Sequence, residues 1–163
     1  MIDDLLRNAA SYGHTFDRGR LPRPPRLQLA IVTCMDARID LNSMLGLREG
    51  DAHVIRNAGG VITDDEIRSL AISQHKMGTR SIMLVHHTDC GMLFYSESEF
   101  REELEAETGI PVPWRPEDFE DLEVDVRESI ARVRASPFIP HRDDVRGFVY
   151  EVESGLLREV VVD

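Results

Sequence analysis

Short apolar segments alternate with amphipathic segments over the first ninety residues of the chain. The apolar runs at 27–33, 52–56 and 81–85 have the length of strands, while 40–47 and 63–77 between them have the pattern of helices. Alternation of strand and helix favours right-handed βαβ crossovers and therefore a parallel sheet. We predict an α/β fold in which a central, mostly parallel β-sheet is flanked by helices.

Two of the predicted helices carry start signals that can be recognised in the sequence. Thr63 and Glu66 have the spacing of a capping box, and Gly78 can end the helix that they begin. Ser96 and Glu99 repeat this spacing and open an acidic helix that runs to about residue 108.

The second half of the chain predicts a long helix and two closing strands. The helix is expected to end near residue 135, and the strands to cover 145–152 and 156–162. One face of the long helix collects apolar side chains, namely Phe119, Leu122, Val126, Ile130 and Val133.

The N-terminal segment differs from the rest of the chain. Residues 2–12 predict a helix, and 19–26 are rich in Pro and Arg and predict an extended linker. An arm of this kind cannot bury its own apolar face, so we expect it to pack on a partner subunit. The prediction is one domain over 1–163, in which 1–26 form an N-terminal helix and extended arm.

Composition narrows the classes of function. With 163 residues and 42% apolar content, the chain can bury a core without disulfides. Its 30 acids against 19 bases give a net charge of -11, which disfavours nucleic acid as a partner. The apolar runs are shorter than the ~20 residues that cross a bilayer, so we expect no membrane association and a cytoplasmic protein. In a reducing compartment two separated cysteines are thiols or metal ligands.

Both cysteines lie in polar motifs that directly follow predicted strands. Cys34 opens Cys-Met-Asp-Ala-Arg, and Cys90 closes His-His-Thr-Asp-Cys. Ligands of parallel sheets gather at the carboxyl ends of strands, so pairing of the first and third strands would bring Cys34, His87 and Cys90 together. Two thiolates and one imidazole leave a fourth position open, which is the pattern of a catalytic zinc. Asp36 and Arg38 supply a charged pair beside it.

Three motifs in this order resemble the β-class carbonic anhydrases, in their shorter, non-plant branch. They are Cys-Met-Asp-Ala-Arg at 34–38, Val-Ile-Arg-Asn-Ala-Gly at 54–59 and His-Thr-Asp-Cys-Gly at 87–91. The resemblance implies Zn2+ on Cys34, His87 and Cys90. It also implies reversible hydration of carbon dioxide to bicarbonate and a proton through a zinc-bound hydroxide.

By the same resemblance, Asp36 and Arg38 form the catalytic dyad. An ionised Asp36 only accepts hydrogen bonds, and Arg38 would keep it ionised and oriented through a two-pronged contact. In a closed state Asp36 would instead become a fourth zinc ligand. Because two thiolates cancel the formal charge of zinc, we expect activity to rise into the alkaline range.

Other residues receive weaker assignments. Gly59 is assigned to positioning bicarbonate, because its loop lies near the active site in the family, and His86 is expected on the face opposite His87. Candidates for proton relay, chosen only by residue type, are His53, His75 and His141. Because a second subunit completes the pocket in the family, a homodimer is the minimal expectation and a tetramer is the larger alternative.

Three alternatives remain open at this stage. The same site could hydrolyse carbonyl sulfide or carbon disulfide. The chain could be a non-catalytic zinc sensor or binding module in which Asp36 permanently closes the fourth position. Cys34 and Cys90 could also form a redox sensor without zinc.

Overall fold

The computed structural model describes residues 1–162, which form five helices, one short 3-10 helix and one five-stranded sheet. In chain order the elements are α1 (Ile2–Thr15), β1 (Leu29–Cys34), α2 (Leu41–Leu45), β2 (Ala52–Asn57), α3 (Asp64–Met77), β3 (Ser81–His87), the 3-10 helix (Gly91–Leu93), α4 (Glu97–Thr108), α5 (Leu122–Ala135), β4 (Val145–Tyr150) and β5 (Leu157–Val160).

The sheet is mixed, with strand order β2-β1-β3-β4-β5. The first four strands are parallel, as predicted, and β5 runs antiparallel to β4. Strand β1 lies between β2 and β3, with Cys34 opposite Asn57 and Thr33 opposite Val85. This register places the carboxyl ends of the three strands at the same edge of the sheet, where the predicted metal ligands lie.

Apolar side chains cover both faces of the sheet, which explains why β1 reads as a continuous apolar run. On one face the core residues come from the sheet and from α3 and α5, and include Ala30, Val32, Leu70, Leu84, Val126, Ile130 and Val133. On the other face they come from the sheet, α2 and the loops near the predicted site, and include Ile31, Cys34, Leu41, Val85, Cys90, Met92 and Phe119.

The predicted helix caps are present. Thr63 and Glu66 form a capping box, as do Ser96 and Glu99, and Gly78 ends α3 in the left-handed conformation. Gly78 has φ +73°, a backbone conformation that glycine adopts without a Cβ penalty.

The placement of Phe119 on the long helix was wrong. Helix α5 begins at Leu122, because the Asp121 carboxylate accepts hydrogen bonds from the backbone N–H groups of Glu123 and Val124 and caps the first turn there. Phe119 lies before this cap and packs beside His86, with ring centroids 5.8 Å apart.

The N-terminal arm contrasts with the sheet, since residues 1–24 are all exposed. The arm contacts the rest of the chain through polar groups. The Tyr12 hydroxyl donates to Glu49, and the Arg26 guanidinium pairs with Asp51 at 2.7 Å. Helix α1 thus presents large apolar side chains to solvent, among them Ile2, Leu5 and Leu6. Within residues 1–162, the structure contains no helix of the length and hydrophobicity needed to span a bilayer.

Candidate metal centre

Three potential metal ligands meet at the carboxyl edge of the sheet. Cys34 is the last residue of β1, His87 is the last residue of β3, and Cys90 immediately precedes the 3-10 helix. All three are buried, and one ligand atom from each lies within 4.8 Å of the others. The two Sγ atoms are 4.0 Å apart. The structure therefore brings together the three ligands that the sequence predicted.

The tautomer of His87 leaves one nitrogen available to a metal. Its Nδ1 lies 2.9 Å from the Thr88 carbonyl oxygen, which can only accept, so Nδ1 carries the proton and donates. The other nitrogen, Nε2, is buried and has no hydrogen-bond partner. A buried polar atom without a partner is costly unless something binds it. Metal-binding histidines are commonly oriented by a hydrogen bond of this kind from the second nitrogen.

The two thiols also fit a cation. The hydrogen bond with Cys90 lowers the pKa of Cys34, and His87 and the backbone N–H groups of Asp36 and Gly59 lower it further against the effect of burial. Conversely, the hydrogen bond to Cys34 and burial raise the pKa of Cys90. Without a cation the pair holds one thiolate readily and resists a second. A divalent metal ion would stabilise both, and the Cys2His set matches catalytic zinc with one open position.

Asp36 and Arg38 form the predicted pair next to these ligands. Arg38 donates from Nε to Asp36 Oδ1 at 2.9 Å and from Nη2 to Asp36 Oδ2 at 2.8 Å. This two-pronged contact holds the pKa of the Asp36 carboxyl well below its usual range. Asp36 Oδ2 is also 3.8 Å from His87 Nε2. The carboxylate therefore faces the nitrogen that would bind the metal while it remains paired with Arg38.

Asp89 is a second partner of Arg38, which the sequence reasoning missed. Arg38 donates from Nη1 to Asp89 Oδ2 at 2.7 Å and from Nη2 to the Asp89 carbonyl at 2.9 Å. Arg38 thereby joins the loop after β1 to the turn that carries Cys90. This contact depends on the pairing of two loops that are distant in the sequence.

The glycines after β2 lie against Cys34, one of the predicted metal ligands. A Cβ on Gly60 would lie 2.8 Å from the Cys34 backbone nitrogen, so only glycine fits there without a backbone shift. Gly59 has φ +82°, and its N–H group contributes to the low pKa of Cys34. The sequence reasoning gave a role to Gly59 alone, because the close approach of the Gly60 backbone to that of Cys34 is a tertiary feature.

The other histidines lie away from this group. His86 contacts Asp125 on α5, as expected for the opposite face of β3. His53 lies near the start of β2 and contacts Ser73, and Gln74 near the end of α3 holds the backbone of His141. His75 is the residue after Gln74 in helix α3. These three relay candidates therefore lie toward the amino-terminal edge of the sheet, opposite the metal ligands.

Comparison with known proteins agrees with this geometry. The family model described as "Carbonic anhydrase" matches residues 29–157. A protein named beta-carbonic anhydrase 1 from Mycobacterium tuberculosis is 52% identical over 160 residues, covering 98% of both chains. A carbon disulfide hydrolase from an Acidianus species is more distant, at 36% identity over 97% of this chain and 88% of its own length.

Among solved structures, a carbonic anhydrase from Streptococcus mutans superposes with a TM-score of 0.92. The two are 41% identical, and the match covers 98% of this chain and 97% of the other. The similarity thus extends over the arm as well as the sheet and its ligand-bearing edge.

Proposed function

This chain belongs to the β-class carbonic anhydrases, and we propose that Asp36 and Arg38 are the residues that adapt its zinc centre for catalysis. The enzyme is a zinc lyase that interconverts carbon dioxide and bicarbonate with a proton. The observation that carries the assignment of roles is the unpartnered His87 Nε2, which lies 3.8 Å from Asp36 Oδ2 on a residue that clusters with the two thiols.

Cys34, His87 and Cys90 would hold the zinc ion, with three protein ligands and one open position. When bound, zinc lowers the pKa of water at this open position so that a hydroxide nucleophile is available near neutral pH. The protein contributes the shape and the electrostatics of the surrounding space.

Asp36 acts in this proposal as a fixed hydrogen-bond acceptor. Because Arg38 keeps its pKa low, the carboxylate stays ionised across the neutral and alkaline range and cannot donate. It would therefore accept a hydrogen bond from the attacking group and so orient a lone pair of that group toward the carbon of the substrate. Arg38 fixes the plane of the carboxylate, and Asp89 holds Arg38 from the other side.

Gly59 is proposed to border the space for carbon dioxide and bicarbonate. A Cβ at this position would lie 3.1 Å from Met92 and 3.2 Å from Phe119, so glycine lets these apolar side chains pack closely against the loop beside the site. Its N–H group faces Cys34, which links the same residue to the metal ligands.

A homodimer is proposed as the functional unit of the single domain 1–163, with a tetramer as the larger alternative. The support is the arm at 1–26, whose exposed apolar side chains need a surface that one chain does not provide. A cytoplasmic location is proposed on the chemistry of Cys34 and Cys90, since two thiols 4.0 Å apart persist as ligands in a reducing compartment.

The test is stopped-flow hydration of carbon dioxide at pH 7 and pH 8.8, on protein with one zinc per chain, beside Asp36→Asn. We expect activity that rises with pH and falls by roughly 10²-fold or more in the variant, the cost of losing one positioned hydrogen-bonding group in an active site. Equal rates in the two proteins would refute the role of Asp36. Parallel assays with carbonyl sulfide and carbon disulfide separate this activity from that of the more distant relatives.

A further inference from the structure

One arginine side chain binds the backbone of the loop that carries both a metal ligand and the dyad. Arg56 extends from β2 and donates from Nε to the Cys34 carbonyl at 2.9 Å and from Nη2 to the Asp36 carbonyl at 2.7 Å. Its Nη1 donates to the Ile39 carbonyl at 3.2 Å. A single guanidinium thus contacts both ends and the middle of the loop at 34–39.

Packing alone does not hold this loop in place. Packing fixes its two ends, since Cys34 and Ile39 are buried. Between them Met35 is 67% exposed and Arg38 is about half exposed, so little apolar burial fixes the middle of the loop. Besides Arg56, the loop is tied to β2 by the hydrogen bond from the Met35 N–H group to the Asn57 carbonyl, at 2.8 Å. The conformation of the loop therefore depends on a few hydrogen bonds to the end of β2.

The orientation of these bonds matters for the dyad. With its carbonyl turned toward Arg56, Asp36 directs its side chain to Arg38, which donates its own backbone N–H group to Asp36 Oδ1 at 2.9 Å. Rotation of the peptide between Asp36 and Ala37 would remove the Arg56 contact and, through Ala37, would shift the next peptide, whose Arg38 N–H group bonds Asp36 Oδ1. The Arg56 bond and the placement of the carboxylate are consequently coupled through two consecutive peptide units.

The chemistry of the contact requires a guanidinium. Among residues 1–162, no carboxylate forms an ion pair with Arg56, so its charge is directed at carbonyl dipoles. Hydrogen bonds from a charged donor contribute more than neutral ones, and the planar fork can reach three acceptors in a fixed geometry. An ammonium group at the same position has one nitrogen, which cannot reach three separated carbonyls.

We propose that Arg56 is a positioning residue for the hydration reaction. By fixing the carbonyls of the 34–39 loop, it holds the Asp36 carboxylate on Arg38 and toward the open position of the metal. This inference rests on the proposed role of Asp36 and extends it to a residue that does not touch the reacting atoms.

The experiment compares zinc-loaded full-length wild type, Arg56→Lys, Arg56→Met and the control Arg146→Lys in stopped-flow hydration. Arg146 also lies on a strand and uses its guanidinium for a two-pronged contact, with Glu159, but at the opposite end of the sheet. We expect kcat to fall by about 10²-fold in Arg56→Lys, the cost of a misplacement of about 1 Å, with KM little changed. Arg56→Met should lose at least as much, and Arg146→Lys should match wild type.

Two further measurements separate positioning from stability. Zinc content and melting temperature correct each rate for the fraction of folded, loaded enzyme. The visible absorption of the cobalt-substituted proteins reports the ligand environment without turnover, and it should change in Arg56→Lys and stay constant in Arg146→Lys. Wild-type kcat and an unaltered cobalt spectrum in Arg56→Lys would overturn the inference, as would a rate loss explained entirely by lost zinc or lost folded protein.

Asp36→Asn, measured in the same series, tests the proposed role of Asp36 separately from the inferred role of Arg56. If Asp36→Asn is as active as wild type, the proposed role of the dyad fails and the inference fails with it. If Asp36→Asn is impaired while Arg56→Lys is not, only the inference fails.

Discussion

Two adjacent histidines on β3 differ in what surrounds them, although both are fully buried. His87 donates from Nδ1 to the Thr88 carbonyl and leaves Nε2 without a partner. His86 contacts Asp125 Oδ2 through Nε2 at 2.5 Å and leaves Nδ1 without a partner. Each ring therefore has one hydrogen-bonded nitrogen and one unpartnered nitrogen, and burial does not distinguish them.

The difference lies in the groups that each face of the sheet supplies. On the His87 face, two thiols and the Asp36 carboxylate converge on the free nitrogen. On the opposite face, His86 contacts the carboxylate of Asp125, and its ring centroid lies 5.8 Å from that of Phe119, which belongs to the core on the metal-ligand side. Within residues 1–162, only the first face gathers three metal-ligating side chains. The groups around each ring thus make His87 the candidate ligand and suit its neighbour, paired with Asp125, to a structural role.

The largest effect is expected when the two histidines are substituted one at a time and zinc affinity and activity are measured. His87→Asn keeps a donor near the position of Nδ1 and removes Nε2, while His86→Gln keeps a donor near the position of Nε2. We expect His87→Asn to lose zinc affinity by more than the ~10–100-fold that a lost outer partner costs, and its activity to fall to background. His86→Gln should retain one zinc per chain and most of its activity. Metal titration with a chromophoric chelator, followed by hydration assays, gives both quantities.

Full zinc occupancy in His87→Asn would show that the imidazole is dispensable as a ligand. Loss of zinc from both variants to the same degree would show that the two histidines act as one unit, and the contrast between the faces would disappear.

A second comparison applies the same substitution to a carboxylate on each face. Asp36→Asn should impair turnover with little change in stability, since Asp36 and Arg38 interact at a partly exposed site. Asp125→Asn leaves the buried His86 with a weaker acceptor, so the free energy of unfolding should fall by roughly 1–3 kcal/mol. Urea denaturation and kcat per bound zinc are the measurements.

We expect Asp36→Asn to lose activity and keep its stability, and Asp125→Asn to lose stability and keep its activity. If Asp125→Asn loses activity as severely as Asp36→Asn while it remains folded and loaded with zinc, the opposite face takes part in catalysis and its interpretation as structural is wrong.

Whether a feature could be predicted from the sequence depended on whether its residues lie close together in the chain or are brought together by the topology of the sheet. Capping boxes at Thr63 and Ser96 depend on residues three positions apart, and the structure confirms both. The meeting of Cys34 with His87 is not local, but it follows from the rule that parallel strands end at one edge of the sheet. These features could be predicted because either short-range spacing or the topology of the sheet determines them.

The features that escaped prediction depend on tertiary contacts between loops. The contact of Arg38 with Asp89 joins residues 51 positions apart, and the Arg56 contacts require the final register of β2 beside β1. Phe119 was misplaced because it lies three residues before Leu122, a helical spacing, although the Asp121 cap starts the helix after it. No periodic pattern distinguishes such positions before the chain has folded.

The smallest expected effect concerns how the Asp36–Arg38 pair contributes to stability as pH changes. Arg38 holds the pKa of Asp36 below its usual range in the folded state, while the unfolded chain has a pKa of about 3.9. Between these values the unfolded state binds more protons, so the pair stabilises the fold fully above about pH 4 and its contribution is lost as pH falls toward the folded pKa.

We therefore expect the difference in unfolding free energy between wild type and Asp36→Asn to stay constant from pH 7 to pH 5 and to narrow below about pH 4. Arg38→Gln should show the same narrowing against wild type, because it removes the cause of the low pKa of Asp36. Release of zinc at acid pH affects every protein in the series, so the comparison is made between proteins at each pH. A difference that instead widens toward acid pH would contradict the sign of the pKa shift and place the stabilising interaction of Asp36 elsewhere than on Arg38.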